Sequence, residues 1–393
     1  MIDIKEAVNI IKNNLKPKED VRKVSIINSI NKVCAQDIYS PMDSPPFDRS
    51  PYDGYAYSAN ITKKELTIVG EVYAGDVFKD KLGKNEAIKI MTGGKIPDGA
   101  NCVIKKEDVT VLANTIILNK DLKEYENYIF KGEDIQKNQL IIKQRDIITY
   151  ESIGILASLG IDEILVYEDL KIGILTTGTE IQELNEALED GKIYNSNKYI
   201  LYSKLLKRGI EPIIVEKSKD CIMELESKIK SILKDVDILI TTGGVSVGDK
   251  DLIPKAFKNI GGRELFWKVK AKPGGACYAS IIDNKLMFGL SGNPHALIVA
   301  YENILVPTID FLSNKTYNSK IQAIFKGSFT KKSSVDRYLN GRMYTSGGRI
   351  YVSMTDNKDS KARLWGTLNS NCMIKVNKES ILEDGQLVDV VII

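Results

Sequence analysis

The stretch "VDILITTGGVSVGDKD", residues 236–251, decides how this chain is read. An apolar run of strand length ends in a threonine pair and two glycines, and the following "LIPKAFKNI" has a helical pattern. Strand, glycine-rich turn and helix start together turn backbone N–H groups toward an anion. Gly243, Gly244 and Gly248 free those amides, Ser246 adds a hydroxyl, and Asp249 and Asp251 can hold a hard divalent cation beside them. Asp251 can equally cap the helix that begins at Leu252.

Outward from this motif, strands and helices alternate from Lys171 to about Leu312. "KIGIL" precedes "NKYILYSKLLKRG", and "PIIVE" precedes "CIMELESKIKSILK", whose Ile222, Leu225, Ile229 and Ile232 share one face. Then come "RELFWKVKA", "CYASII" and "LMFGL", followed by the apolar "PHALIVAYENILVPTIDFL". Alternation of this kind predicts a central doubly wound α/β domain with a mainly parallel sheet, over 169–312, whose ligands bind outside the carboxyl ends of the strands. Three turns after apolar strands, "TTGTE" (176–180), the opening motif and "LSGNP" (290–294), therefore belong to one site.

The flanking segments differ. Residues 1 to about 40 show helical spacing at Ile4, Ala7, Val8 and Ile11, a break at Pro17, and more apolar positions at Val24, Ile26, Ile27 and Ile30. Residues 45–140 carry short strand-like runs separated by Gly, Pro, Asn and Asp, a mostly β module. Residues 1–44 and 141–168 are expected to form an N-terminal helical and linking domain, and 317–393 a small C-terminal β-barrel.

Composition narrows the function. Among 393 residues, 55 basic against 52 acidic side chains give a formal charge of +3, too balanced for a protein held mainly by phosphate backbones, so nucleic acid is not the expected partner. The five cysteines are scattered and never in a C-x-x-C pair, which argues against a disulfide framework or a zinc site. The charged N-terminus lacks an apolar signal core, and Glu302 and Asn303 interrupt the most apolar stretch, so neither export nor a membrane span is expected, and a cytoplasmic location is. His295 is the only histidine, which removes two-histidine metal sites. Its place after "GNP" suggests a surface residue at a helix start.

"FWKVKAKPGG", 266–275, is read as extended, with Lys268, Lys270 and Lys272 on one face and Trp267, Val269 and Ala271 on the other. The lysine row is either a charged edge that discourages aggregation or an anion-binding rank presented by the "KPGG" turn. "SPPFDRSPYDGYA", 44–56, places Asp48 and Asp53 in a stiff loop, and "MTGGKIPDGANCVI", 91–104, offers Thr92 and Gly93 to a ligand or simply closes a hairpin.

In order, "PPFDRSPYDGYA", "MTGGKIPDGANCVI", "FKGEDI", "TTGTEI", "IYNSNKYIL", "TTGGVSVGDKD", "FWKVKAKPG" and "FGLSGNP" resemble the motifs of the molybdopterin molybdenumtransferases, the MoeA family that also includes the gephyrin E domain. The resemblance implies a homodimer of four-domain subunits, with a site between the α/β domain of one subunit and the β module of the other. It implies insertion of molybdate into adenylylated molybdopterin with release of AMP, dependent on Mg2+, and contact with the adenylyltransferase of the same pathway. A tungstate-preferring paralogue, the related adenylyltransferase activity, and a non-catalytic molybdopterin-binding or assembly protein are the alternatives.

Carried over by motif, the catalytic residues are Asp53, Glu180, Asp251, Lys268 and Lys272, with Asp251 and Glu180 placing the metal or orienting a water. Thr92, Gly93, Thr177, Gly178, Asp220, Gly243, Gly244, Ser246 and Gly248 would bind substrate. So would Pro273, Gly274, Ser291, Gly292, Asn293, Pro294 and Ser360. The chain departs from the pattern at Thr179, Gly275, Ser291, His295, Ala296 and Asp359. Gly275 stands where the family carries a lysine, so Gly275→Lys discriminates between two cases: a large gain of activity marks a degenerate site, and no gain marks one compensated elsewhere.

Overall fold

The computed structural model describes residues 1–245, 252–315, 320–355 and 364–393. Ser246, Gly248, Asp249, Asp251, Asp359 and Ser360 lie outside the described residues. The chain forms two compact units, one of Met1–Arg22, Asn31–Val33 and Tyr167–Ile393, the other of Lys23–Ile30 and Cys34–Val166.

The first unit begins with helix α1 (Ile4–Asn14), closed at its start by a capping box between Asp3 and Glu6. Its Ile4, Ala7, Val8 and Ile11 enter the core of the α/β unit. The central sheet follows as β1 (Ile172–Thr177), α2 (Ser196–Lys207), β2 (Ile214–Ser218), α3 (Ile222–Ile232), β3 (Ile238–Thr242) and α4 (Ile253–Asn259). It ends with β4 (Arg263–Trp267), β5 (Cys277–Ile282), β6 (Lys285–Leu290) and α5, the helical run Pro294–Leu312. The strand order is β2-β1-β3-β6-β5-β4. β2, β1, β3 and β6 are parallel, and β5 and β4 are antiparallel.

The sheet is buried on both faces because its strands are apolar at successive positions. Ile172, Ile174, Ile238 and Ile240 enter the core shared with α1, α2 and α5, while Leu175 and Leu239 enter the one shared with α3 and α4. Each such Leu or Ile gains about 1.5–3 kcal/mol on full burial. The order runs one way from β1 to β2 and the other way from β1 to β3, so the topological switch point lies between β1 and β3.

The 19-residue run α5 is long and apolar enough to cross a membrane, yet 89% of its apolar window is buried within this unit. A π-helical turn, Tyr301–Leu305, interrupts it. Glu302 and Asp310 on α5 are buried but paired with Lys204 (2.6 Å) and Arg208 at the end of α2. Losing one partner of such a buried pair costs about 3–5 kcal/mol, so the pairs fix α2 on α5.

The C-terminal segment is a closed five-stranded barrel. Asp336–Ser346 pairs with Arg349–Met354, which pairs with Lys320–Lys326, then Leu387–Ile392, then Cys372–Val376, which returns to Asp336–Ser346.

In the second unit, a six-stranded sheet has the order Cys102–Lys105, Gly54–Tyr57, Glu86–Ile90, Glu65–Val72, Thr115–Leu118, Val109–Leu112. A separate small core gathers Cys34, Ile38, Ile142, Ile148, Leu156, Ile164 and Val166, with Val24 and Ile26 against it.

Two sequence expectations are corrected. The apolar positions after Pro17 do not form a second helix. Val21–Ser25 is a strand and only Ile26–Asn28 makes a 3-10 turn, in keeping with the β-branched Val21 and Val24. "RELFWKVKA" is not one strand either. β4 stops at Trp267, Lys268 takes a left-handed φ of 69°, and Ala271–Lys272 pairs with Asp336–Arg337 of the barrel.

Candidate active site

The carboxyl ends of β1, β2, β3 and β6 open on one edge of the sheet. After β1, the buried Thr177 hydroxyl donates to the Thr242 carbonyl at 3.3 Å, joining the two strands at the switch point. After β3, Gly243 donates its N–H to the Leu290 carbonyl at 3.0 Å, which ties the glycine turn to β6. Gly243 has φ 86°, and a Cβ there would lie 2.7 Å from the Thr177 carbonyl oxygen, so only glycine lets the two turns meet. A Cβ on Gly292 would come within 3.8 Å of the Gly243 Cα, which brings "LSGNP" to the same place. Trp267 at the end of β4 donates its indole N–H to the Val245 carbonyl (3.2 Å) and so props the glycine turn from the far side.

Two asparagines fasten the third turn. Asn293 caps α5, accepting from the Ala296 N–H at 3.1 Å, with Pro294 in the first helical turn. Asn197 on α2 donates to the Gly292 carbonyl at 2.8 Å. Asn195 caps α2 and also donates to the Thr176 hydroxyl and the Glu183 carboxylate, both at 3.0 Å. "NSN" is a legible helix-start signature, and the cross-links made by Asn195 and Asn197 were the part that sequence reading missed.

The carboxylates divide. Asp220, after β2, accepts the Thr179 N–H at 2.9 Å and thereby holds the "TTGTE" turn. Glu180 lies against Gly178, where an added Cβ would meet both its carboxylate oxygens at 2.8 Å, and its carboxylate is exposed. Among the described residues no three His, Cys, Asp or Glu side chains cluster as a metal cage. One free carboxylate suits a cation that keeps water and takes its other ligands from substrate phosphates, as Mg2+ does, so Glu180 fits that role.

The lysines do not form a row. Lys268 leaves the sheet with its N–H on the Cys277 carbonyl (2.9 Å) and its ammonium 5.3 Å from the Trp267 ring centroid. Lys270 turns away, its N–H on the Ile2 carbonyl at 2.8 Å and its ammonium 3.7 Å from Asp3. Lys272 is exposed, and the turn after it packs on α5, since a Cβ on Gly274 would meet Val299 at 2.9 Å. Lys268 stands by the β3 turn and Lys272 by the start of α5. The switch between sheets at Lys268 and Lys270 separates them.

The same turn bears on Gly275. A Cβ there would lie 2.8 Å from the Ala271 carbonyl and 3.0 Å from that of Val269, inside a loop closed by the Val269 N–H on the Gly275 carbonyl at 3.0 Å. Restoring lysine is therefore expected to cost stability, about 1–3 kcal/mol. Denaturant unfolding of Gly275→Lys and Gly275→Ala tests this, because both carry the offending Cβ. A lysine variant as stable as the parent would remove the steric reading.

His295 is buried, not a surface residue. Among the described residues its Nε2 has no hydrogen-bond partner, and burial holds its pKa below the ordinary imidazole value.

In the other unit, Asp53 and Thr92 meet. Asp53 Oδ1 accepts the Thr92 N–H at 2.9 Å and the Thr92 hydroxyl at 2.8 Å, and Lys106 stands 3.9 Å from Oδ2. These donors, the Thr92 N–H first, hold the Asp53 carboxyl below its ordinary value. Gly93 donates its N–H to the Ser50 carbonyl at 2.8 Å, which fixes the Thr92 turn against the loop that carries Asp53. The Lys105 ammonium sits 4.0 Å from the Tyr52 ring centroid.

Residues 2–160 match the family model described as "MoeA N-terminal region (domain I and II)", and residues 173–310 match "Probable molybdopterin binding domain". Over 402 residues, 100% of this chain and 95% of the relative, the sequence is 32% identical to the molybdopterin molybdenumtransferase of Staphylococcus aureus strain COL. The chain belongs to the molybdopterin molybdenumtransferase family. It is an enzyme of the transferase class, active in molybdenum cofactor biosynthesis. A Staphylococcus epidermidis family member is 30% identical over 403 residues, covering 100% of this chain and 95% of its own. The fold agrees with that of the molybdopterin biosynthesis MoeA protein from Pyrococcus horikoshii, with a TM-score of 0.86, 26% identity, and coverage of 100% of this chain and 99% of that one.

Proposed function

We propose that the enzyme inserts molybdate into adenylylated molybdopterin and releases AMP in a Mg2+-dependent reaction. The observation that carries this reading is the meeting of three turns, after β1, β3 and β6, at one switch point. Backbone amides at the glycine turn suit a phosphoanhydride or an oxyanion, and the ammonium groups of Lys268 and Lys272 would supply charge.

In this reading Lys268 and Lys272 neutralise phosphate and molybdate, and Asn293 and Asn197 keep the "LSGNP" backbone facing the substrate. Glu180, with Asp251, would hold the magnesium ion together with the substrate phosphates. When bound, the ion offsets negative charge on the anhydride oxygens. Asp53, with its proton held off by Thr92, supplies a fixed carboxylate from the β module. That module belongs to a second copy of the chain, which makes the working enzyme a cytoplasmic homodimer of four-domain subunits that receives its substrate from the pathway's adenylyltransferase. Thr177, Gly178, Thr92, Gly93, Pro273, Gly274 and Ser291 complete the substrate contacts, with Ser246, Gly248 and Ser360 from the family motifs.

AMP release from adenylylated molybdopterin, followed with molybdate and Mg2+ added separately and together, tests the reading. Release is expected only with both. Tight binding of the adenylylated substrate with no turnover under any combination would make the chain a carrier and sink the proposal.

A further inference from the structure

The chain has two tryptophans, and their settings are opposite. Trp267 is committed inside the site. Its indole N–H is on the Val245 carbonyl, Tyr278 meets it edge-on with centroids 6.1 Å apart, and the Lys268 ammonium lies over its ring. Trp365, in the 3-10 turn Leu364–Thr367, is 77% exposed, with Leu364 and Leu368 exposed beside it. An indole has a large apolar face, and leaving one in water beside two leucines marks a surface that binds something.

The turn is firmly built. The Thr355 N–H is on the Asn340 carbonyl and the Asn371 N–H on the Gly341 carbonyl, both at 3.1 Å, which ties the segment to the barrel strand Asp336–Ser346. The hydroxyls of Thr355 and Ser370 both donate to the Gly366 carbonyl, at 3.0 and 2.8 Å, and the Thr367 hydroxyl donates to the Leu364 carbonyl at 2.6 Å. The Leu368 N–H closes on the Trp365 carbonyl at 3.2 Å. Gly366 is buried, so the turn is anchored through its neighbour while the indole stays in solvent.

Its place matters as much. The turn packs against Pro294–Ala300, the first two turns of α5. These rise only about 10 Å, so the turn lies within reach of a dinucleotide-sized ligand anchored at "LSGNP". The strand that anchors it also pairs, at its start, with Ala271–Lys272. Residues 176–180, 241–245 and 290–294 contain no aromatic side chain. They offer amides and hydroxyls to an anion, and a flat ring attached to that anion finds its stacking surface elsewhere.

We propose that Trp365 is a substrate-binding residue that stacks on a heterocycle, adenine or pterin, of the adenylylated substrate. The barrel thereby supplies the ring-binding part of the site. This rests on the reading of the switch-point turns given above.

Trp365→Ala is expected to raise KM for adenylylated molybdopterin by about 10–100-fold. KM for molybdate should stay within about threefold, and Trp365→Phe should recover most of the loss. Tryptophan fluorescence of the full-length protein reads the contact without turnover, titrated with AMP, a free pterin and ribose 5-phosphate. The emission missing from Trp365→Phe belongs to Trp365, and AMP or pterin is expected to quench it where ribose 5-phosphate does not. The quenching ligand names the ring, and the titration separates a failure of stacking from a failure of the proposed reaction. Absence of quenching by both AMP and pterin, equal quenching by ribose 5-phosphate, or a KM for the adenylylated substrate unchanged in Trp365→Ala would each overturn the proposal. So would a dimer that dissociates in Trp365→Ala, which would assign the exposed face to a second copy of the chain.

Discussion

Asp53→Asn is expected to lower turnover in molybdate-dependent AMP release by about 10²–10⁴-fold while leaving the fold intact. Asparagine keeps an oxygen that can accept the Thr92 N–H and hydroxyl, now at 2.9 and 2.8 Å, so the loop should hold. What is lost is the charge. Because the Thr92 donors depress the Asp53 carboxyl, it stays ionised down to pH values below its ordinary 3.8. The sign follows: a depressed carboxyl loses its charge only as pH falls through the lowered value, so no loss of activity near neutrality should trace to this group. Steady-state kinetics of the parent and Asp53→Asn from pH 5 to 9 check both points. A variant within threefold of the parent would remove Asp53 from the catalytic set.

Lys272→Met is expected to reduce kcat/KM by about 10²–10³-fold, with Lys272→Arg retaining part of the activity. Lys272 is the exposed cation of a turn braced on α5, at the end where that helix starts. Lys270→Met is the matched control. Its ammonium faces Asp3 and its N–H is tied to Ile2, so it should behave as the parent. Equal losses in the two variants would mean that general surface charge is being measured, not a placed ammonium group.

The two lysines show where sequence reading stopped. An alternating "WKVKAK" reads as one strand because side-chain direction has a period of two, and that logic put Lys268, Lys270 and Lys272 on one face. The chain instead changes sheets at Lys268, whose left-handed φ breaks the alternation, and the next two-residue strand joins the barrel. A pairing partner about 65 residues away decides this, and no local pattern announces it. His295 is similar. A histidine after "GNP" looks exposed, but α5 is the most buried helix of the unit and takes the residue inside. Gly275 looked like a missing lysine and sits in a loop too tight for a Cβ.

The alternation of strands and helices, the buried strands and the glycine turn after "VDILI" were all legible in the sequence, because each depends on neighbours a few residues apart. These features fix the doubly wound sheet and name the turns that face its ligand edge. Tertiary structure alone decided that Gly243 must approach Thr177, that Asn197 fastens Gly292, that α1 packs with the α/β unit, and that the chain changes sheets between Lys268 and Lys272. Each of those depends on contacts between segments far apart in the chain, where close packing admits one arrangement and local propensity is silent.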